Sequence, residues 1–147
     1  MSTFDITRRR AQQTASIPLV DGEGAPMLDD EGKPLSVTVH GPGSKVWRDA
    51  DAERNRKRAL KLEKNRNKIS AVLADARDDD LDMLVSITVS FNGWEYPHPD
   101  KMNGGTWPAQ RDMFRAAYAD DTIGYVRDHL LTESGDWAAF TKASGAA

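Results

Sequence analysis

Leu81–Trp94 is the most continuously apolar stretch of the chain, and the spacing of its polar residues predicts how it folds. Asp82, Ser86 and Ser90 follow one another at intervals of four, so on a helix they form one narrow polar stripe. The other positions are almost all apolar, as expected for a helix that is buried on several sides. Most of the remaining chain is charged or typical of turns, so this stretch is expected to organise the core.

The same residues also fit a strand. From Val85 to Phe91 apolar and polar side chains alternate, which is the period of a half-buried β-strand. The flanking residues favour the helix, because the three aspartates at 78–80 suit a helix N-terminus and Asn92-Gly93 suits a C-terminal end. We therefore predict a helix that begins near the three aspartates, and the strand stays open as the alternative.

Residues 16–40 predict a small antiparallel β-meander. Three short apolar runs, at 17–20, 25–28 and 35–40, are separated by the turn sequences DGEG and DDEGKP. Pro18 and Pro26 each lack a backbone donor, which places the first two strands at edges. A sheet this small has one apolar face, so we expect a helix to cover it.

A long helix is predicted to begin after Ser44, an N-cap residue that follows the Gly41-Pro42-Gly43 break, and to reach about Ala76. Positions spaced by three and four residues along it form a heptad-type seam. The members of this seam are Ala52, Asn55, Ala59, Leu62, Arg66, Ile69, Leu73 and Ala76. The opposite side is basic, with Lys57, Lys61, Lys64 and Lys68 flanked by Arg54 and Arg58. The seam is expected to lean on the core or on another helix, and the basic side to face water.

The C-terminal half predicts two more helices and a final turn. A loop rich in proline and glycine spans residues 97–105, and Pro108 fits the first turn of the next helix. A further helix carries Ile123, Val126 and Leu130 on one side and ends at Gly135. The predicted class is α+β, a mostly helical domain with a small N-terminal antiparallel β-meander. We place the domain at 16–140 (meander 16–40, helical part 44–140), between a flexible arm at 1–15 and a flexible tail at 141–147, and find no internal repeat.

The composition excludes several classes of function. The formal net charge is −3, so the overall balance attracts neither nucleic acid nor anionic membranes. The chain has no cysteine, which excludes disulfides, thiolate zinc sites and a cysteine nucleophile, and which suits a reducing cytosol. No run of 18 apolar residues occurs, so we expect no membrane span.

No motif indicates catalysis or a cofactor. The acidic residues between 75 and 82 lie almost consecutively, whereas metal ligands converge from fixed directions, so a helix dipole explains them more simply. His40, His98 and His129 share no ligand spacing, and neither a nucleotide-binding glycine loop nor a nucleophile elbow is present. We therefore expect no catalytic residue, no metal ligand and no cofactor, and we expect the protein not to be an enzyme.

Two features are candidates for binding a partner. Arg54–Lys68 carries eight basic residues and one acid, and such a helix can lie against phosphates, although no aromatic residue is interleaved for stacking. The seam leucines and the aromatic residues around the 97–105 loop could instead anchor a protein partner, or simply fill the core. The partner-binding candidates are Leu62, Ile69, Leu73, Trp94, Tyr96 and Trp107.

The order of these features resembles that of siphophage tail assembly chaperones. Those proteins open with a β-meander that ends in a Gly-Pro-x-Ser segment, continue into a long Arg/Lys/Glu-rich helix, and then show an apolar helix that ends in a Gly-Trp-Glu-like sequence. The likeness covers residues 16–140. The matching positions here are Gly41-Pro42 with Ser44, the helix 44–76, Gly93-Trp94-Glu95, the late helices around Pro108 and Tyr125-Val126-Arg127, and the closing aromatic Phe140.

The resemblance implies a chaperone that works in the cytoplasm of the infected host and is absent from the mature virion. It would bind the tape measure protein, keep that long apolar helical chain soluble, and act with the tail tube protein. The resemblance leaves open whether the chain forms a homo-oligomer. The chain departs from the family in its longer loop at 97–105 and in having nothing after Phe140 that resembles a frameshifted extension. The alternatives are a phage structural or head–tail completion protein, and a small nucleic-acid-binding regulator that uses the basic helix.

Overall fold

The computed structural model describes the backbone of residues 3–64 and 69–145, and the side chains of residues 3–64 and 76–141. Eight helices and strands lie in this part, with short 3₁₀ turns at Ile6–Arg9, Lys101–Asn103 and Asp121–Ile123. They are β1 (Thr14–Pro18), β2 (Ser36–His40), α1 (Lys45–Lys64), α2 (Ile69–Ile87), β3 (Thr88–Asn92), α3 (Gln110–Ala119), α4 (Gly124–Ser134) and α5 (Trp137–Gly145). The predicted α+β class is confirmed. The last helix extends past Phe140, where the sequence placed the end of the domain.

The three strands form one antiparallel sheet in the order β1-β2-β3. Ile17 pairs with Val37, and Val37 pairs with Phe91, so these side chains share the face that is turned to the core. The opposite face carries hydroxyl and amide groups, and Asn92 Nδ2 donates to Thr38 Oγ1 at 2.9 Å. The third strand therefore comes from the apolar stretch after α2, and not from residues 16–40.

The apolar stretch is helix in its first half and strand in its second. α2 continues through Ile87, and β3 follows at Thr88 with no intervening loop. Thr88 Oγ1 donates to the Leu84 carbonyl oxygen at 2.7 Å and shares a hydrogen bond of 2.8 Å with the Tyr118 hydroxyl. Gly93, at φ 84°, follows the end of this strand. The sequence had predicted that Asn92-Gly93 would end a helix, and that prediction is wrong. Both periodicities seen in the sequence are therefore used.

The link between β1 and β2 contains an internal repeat that the sequence analysis missed. Its eight-residue unit is PLVDGEGA at 18–25 and PMLDDEGK at 26–33. In each unit the aspartate folds the turn, because Asp21 Oδ1 accepts from the backbone N–H groups two and four residues later, and Asp29 Oδ1 does the same. The glycines in the two turns take φ values of 84° and 78°, which L-residues with a Cβ rarely adopt.

Backbone hydrogen bonds join equivalent positions of this repeat in a closed ring. Leu19 N–H donates to the Leu35 carbonyl, Met27 N–H to Leu19, and Leu35 N–H to Met27, at 2.9–3.0 Å. Only isolated bridges occur here, between Val20 and Pro26 and at the matching pair eight residues later. The predicted middle strand at 25–28 is therefore replaced by this pair of turns.

The long predicted helix is two antiparallel helices. It begins as expected, since the Ser44 hydroxyl accepts from the Trp47 N–H at 3.2 Å. However, α1 ends at Lys64 and α2 begins at Ile69, and the two pack side by side. The prediction of one helix from Ser44 to Ala76 is wrong, and so is the helix start at the three aspartates, which lie in the middle of α2.

The core lies between the apolar face of the sheet, the C-terminal half of α2, and α3, α4 and α5. α1 contributes no fully buried side chain, and only Trp47 and Ala50 near its start pack partly against the core. The buried core residues are Ile17, Leu19, Val37, Val39, Leu81, Leu84, Val85, Ile87, Phe114, Tyr118, Val126, Leu130 and Phe140.

Candidate partner-binding surfaces

Most of the basic side of α1 faces α2, so the expectation that it faces water is wrong for Arg54, Lys57, Arg58 and Lys61. Lys64 is exposed as expected, and Lys68 lies outside the described residues. Lys57 Nζ lies 3.2 Å from Asp82 Oδ2, and Lys61 Nζ lies 2.9 Å from Asp79 Oδ1. Arg58 binds Asp80 at 2.7 Å, and Arg54 reaches the same carboxylate oxygen at 3.0 Å. The acidic residues of α2 therefore hold α1, and they do not serve as dipole partners at a helix start.

Two of these carboxylates are partly or fully withdrawn from water. Asp79 is buried against Lys61. Asp82 is half-buried, and burial raises its pKa, but hydrogen bonds from Arg115 and Lys57 outweigh this effect and the pKa ends below its ordinary value of 3.8. The carboxylate form of Asp82 is thus stabilised by cations from both α1 and α3.

Because the basic side is docked, the seam of α1 is exposed. Ala52, Asn55, Ala59 and Leu62 all lie on solvent-exposed positions, and the Leu62 residue is 52% exposed. Of the remaining candidates on the seam, the side chains of Ile69 and Leu73 lie outside the described part of the chain. We call the exposed set from Ala52 to Leu62 the outer face of α1.

Trp94 is a structural residue of the sheet. Its ring stacks on Phe91 with centroids 3.9 Å apart and planes inclined by 12°, and its Nε1–H donates to the Ser36 carbonyl at 2.9 Å. Phe91 in turn contacts Phe114 at 4.6 Å between centroids. Of the three aromatic candidates, Trp94 therefore packs with the core, and the other two lie together elsewhere.

Tyr96 and Trp107 line a groove of about 380 Å³ between the 97–105 loop and the start of α3. Trp107 Nε1–H donates to the Tyr96 carbonyl at 2.8 Å, and the His98 ring meets the Trp107 ring edge-on at 4.7 Å between centroids. Other walls are formed by Pro97, Met113 and the side chains of Glu95 and Lys101. We call this cavity the aromatic groove.

Hydrogen bonds fix the polar ends of the groove. The Tyr96 hydroxyl donates to Asp120 Oδ2 at 2.8 Å, and this bond raises the pKa of Tyr96 above its usual range. The pKa of Asp120 is lowered, first by the hydroxyl of Thr122 and then by Tyr96. Lys101 Nζ lies 2.9 Å from Glu95 Oε1 on the groove wall. The ring donors of Tyr96 and Trp107 are both used within the protein.

The loop that shapes the groove is tightly closed at Gly105. A Cβ at this position would lie 2.7 Å from His98 Nδ1 and 2.8 Å from Asp100 Cβ, closer than packed atoms approach. The Gly105 N–H donates to the Asp100 carbonyl at 2.8 Å, and the Asp100 N–H donates to His98 Nδ1. The sequence predicts a loop here but not a groove. The walls of the groove are joined by hydrogen bonds to backbone carbonyl oxygens, and a pattern of side chains does not encode these bonds.

Among the described side chains, at 3–64 and 76–141, no group of three metal-binding residues converges. Among the helices that the structure describes, none combines the length and apolar character that a membrane crossing requires. Comparisons with protein-family models, with curated proteins and with solved structures return no match.

Proposed function

We propose that this protein is a phage tail assembly chaperone that binds the tape measure protein and keeps it soluble in the host cytoplasm, without entering the mature virion. The name of the client comes from the likeness in the order of motifs along residues 16–140. The observation that carries a binding role is the outer face of α1, where small residues and Leu62 follow a helical spacing and stay exposed.

This face has the pattern that a helical client requires. Small side chains at positions 52 and 59 let a second helix approach closely, and Leu62 offers an apolar contact one turn further on. The charged side of α1 is already matched by α2, so a client that packs on the outer face does not have to displace those ion pairs. An apolar helix therefore suits this face better than a charged one.

The structure gives less support to the nucleic-acid alternative. Arg54, Lys57, Arg58 and Lys61 are engaged with carboxylates of α2, and a phosphate backbone would have to compete with those partners. The nucleic-acid hypothesis predicts that DNA or RNA binds with an affinity that falls steeply as salt is added. Such binding, in the absence of any effect on the tape measure protein, would favour the regulator instead.

Co-expression with the tape measure protein of the same phage tests the proposal. The wild-type chain is expected to keep the client in the soluble fraction and to co-purify with it. Leu62→Asp should reduce the co-purified client about tenfold, because the loss of one leucine contact is of the order of 1.5 kcal/mol. Leu28→Asp is the matched control, since that leucine is 54% exposed in the link between β1 and β2.

Circular dichroism establishes that both variants are folded. The proposal fails if the client stays insoluble in the presence of the wild-type chain. If the client is soluble but Leu62→Asp and Leu28→Asp bind it equally, the outer face of α1 is not the binding surface. Detection of the chain in purified virions would favour a structural component.

A further inference from the structure

The aromatic groove presents the carbon atoms of its rings to a ligand, because the hydrogen-bond donors of Trp107 and Tyr96 are already bonded. Trp107 Nε1–H and the Tyr96 hydroxyl are both bonded to acceptors of the protein itself, at 2.8 Å each. What these two rings leave to the cavity is therefore their π surface and their C–H edges. The face of an indole or phenol attracts cations, and the donation of the phenol hydrogen to a carboxylate makes the Tyr96 ring richer in electrons.

A carboxylate and an internal cation complete the wall. Glu95 Oε1 accepts from Lys101 Nζ at 2.9 Å, and both side chains line the groove. Each of the two side chains is still about two-thirds exposed, at 66% and 63%, so water screens this ion pair and it contributes little to stability. The Lys101 ammonium group thus pairs with the Glu95 carboxylate on the wall of the groove, and an incoming cation can replace it there.

We infer that the aromatic groove binds an arginine side chain of a partner protein, whose guanidinium stacks on Trp107 and Tyr96 and pairs with Glu95 in place of Lys101. An arginine fits better than a lysine, because a planar guanidinium stacks on aromatic faces and donates two parallel hydrogen bonds to a carboxylate. Met113 and Pro97 supply apolar wall for the aliphatic part of the arginine.

This inference is independent of the client that the outer face of α1 takes. The groove lies between the 97–105 loop and α3, whereas the proposed client surface lies on α1. The groove therefore adds a second contact, specific for a cationic side chain, at a place separate from the outer face of α1. Its test uses short peptides and no tape measure protein, so a failure here leaves the proposed function untouched.

The experiment is a titration of the full chain with the blocked peptide Gly-Gly-Arg-Gly-Gly, followed by the indole N–H resonances in NMR spectra. Trp107→Phe assigns the Trp107 signal. The matched control peptide carries citrulline, which has nearly the shape of arginine but no charge. We expect the arginine peptide to shift the Trp107 signal, and the citrulline peptide to bind at least about fivefold more weakly.

Variants of the groove wall separate this site from nonspecific binding. Glu95→Gln should weaken arginine binding, and Lys101→Ala should strengthen it, because the internal competitor is removed. Lys45→Ala is the control, since Lys45 forms a similarly exposed pair with Asp49 at the start of α1. Equal binding of the citrulline peptide, an unmoved Trp107 signal, or weaker binding in Lys101→Ala would each overturn the inference.

Discussion

α1 and the C-terminal helices are held to the molecule by different forces. α1 has no fully buried side chain, and four of the ion pairs among the described residues join its basic side to the aspartates of α2, beside partial packing of Trp47 and Ala50 on the core. α3 and α4 instead bury apolar side chains in the core, among them Phe114, Tyr118, Val126 and Leu130. These ion pairs are partly buried, from 4% exposed at Asp79 to 36% at Arg58, so desolvation offsets much of their attraction. A fully buried large apolar side chain instead contributes about 1.5–3 kcal/mol.

α1 is therefore the element whose docking depends most on charge. Its docking is also imperfect, because Arg54 Nε and Arg58 Nε are buried without a hydrogen-bond partner among the described residues. A helix that is docked through its basic side leaves its outer face, with Ala52, Ala59 and Leu62, exposed. The C-terminal helices bury most of their apolar side chains in the core, and Tyr125 of α4 and Trp137 of α5 remain exposed.

The largest difference between the two regions should come from shortening a leucine in each. Leu130 of α4 is fully buried in the core, and Leu130→Ala should lower the free energy of unfolding by about 2–5 kcal/mol through lost burial and the cavity left behind. Leu62→Ala on the outer face of α1 should change it by less than about 0.5 kcal/mol. Urea unfolding measures both values. Similar costs at the two sites would mean that the outer face of α1 is covered in solution.

A slightly smaller loss is expected where the chain enters α1. Gly41 is packed under Phe140, and a Cβ there would lie 2.4 Å from the ring. Gly41→Ala forces a fully buried aromatic side chain to move, which should cost about 1–3 kcal/mol. Gly22→Ala is the control, because nothing lies within 4 Å of a Cβ there. Equal stability of the two variants would show that Phe140 is less firmly placed than its burial indicates.

The sequence predicts the apolar core better than it predicts the charged contacts between α1 and α2. The α+β class, the N-cap at Ser44 and the core side chains of α2 all follow from local patterns. The end of α2 does not, because residues 85–91 satisfy the helical and the strand period together. Only the pairing of Val37 with Phe91 and the hydrogen bond between Thr88 and Tyr118 decide between the two periods.

The surfaces were harder to predict than the core, for two physical reasons. The seam spacing of three and four residues runs on through Ala76, so it hides the separation of α1 from α2. The charge pattern does indicate the antiparallel pair. A basic run at 54–61 precedes an acidic run at 79–82, and the sequence between the two runs is long enough for one helix to end and a second to return beside it. The aromatic groove depends on hydrogen bonds from Trp107 and Gly105 to backbone carbonyls, which a residue pattern does not record.

Salt should loosen α1 and leave the C-terminal helices unchanged. Raising sodium chloride from about 0.05 M to 1 M shortens the screening length from roughly 14 Å to 3 Å, which weakens the partly buried pairs that dock α1, though less than it would weaken pairs on the open surface. We expect the amide hydrogens of α1 to exchange about tenfold faster in high salt, a loss of about 1.4 kcal/mol shared among the four pairs. The amides of α4 are the internal control. Equal protection of α1 at both salt concentrations would mean that apolar contacts, and not charges, hold it.

The smallest effect should be the pH dependence of the contribution that Asp82 makes to the free energy of unfolding. Its pKa in the folded protein is lowered below 3.8 because the cations of Arg115 and Lys57 outweigh its burial, so the carboxylate form favours folding. The stabilisation is therefore fully present above about pH 5 and is lost as the pH falls from about 4 through the lowered pKa. The measurement is the difference in unfolding free energy between the wild-type chain and Asp82→Asn, followed from pH 7 to pH 3, because the other carboxyl groups are common to both proteins and largely cancel. We expect this difference to shrink in acid, and a difference that grows as the pH falls would show that burial, and not the two cations, dominates at Asp82.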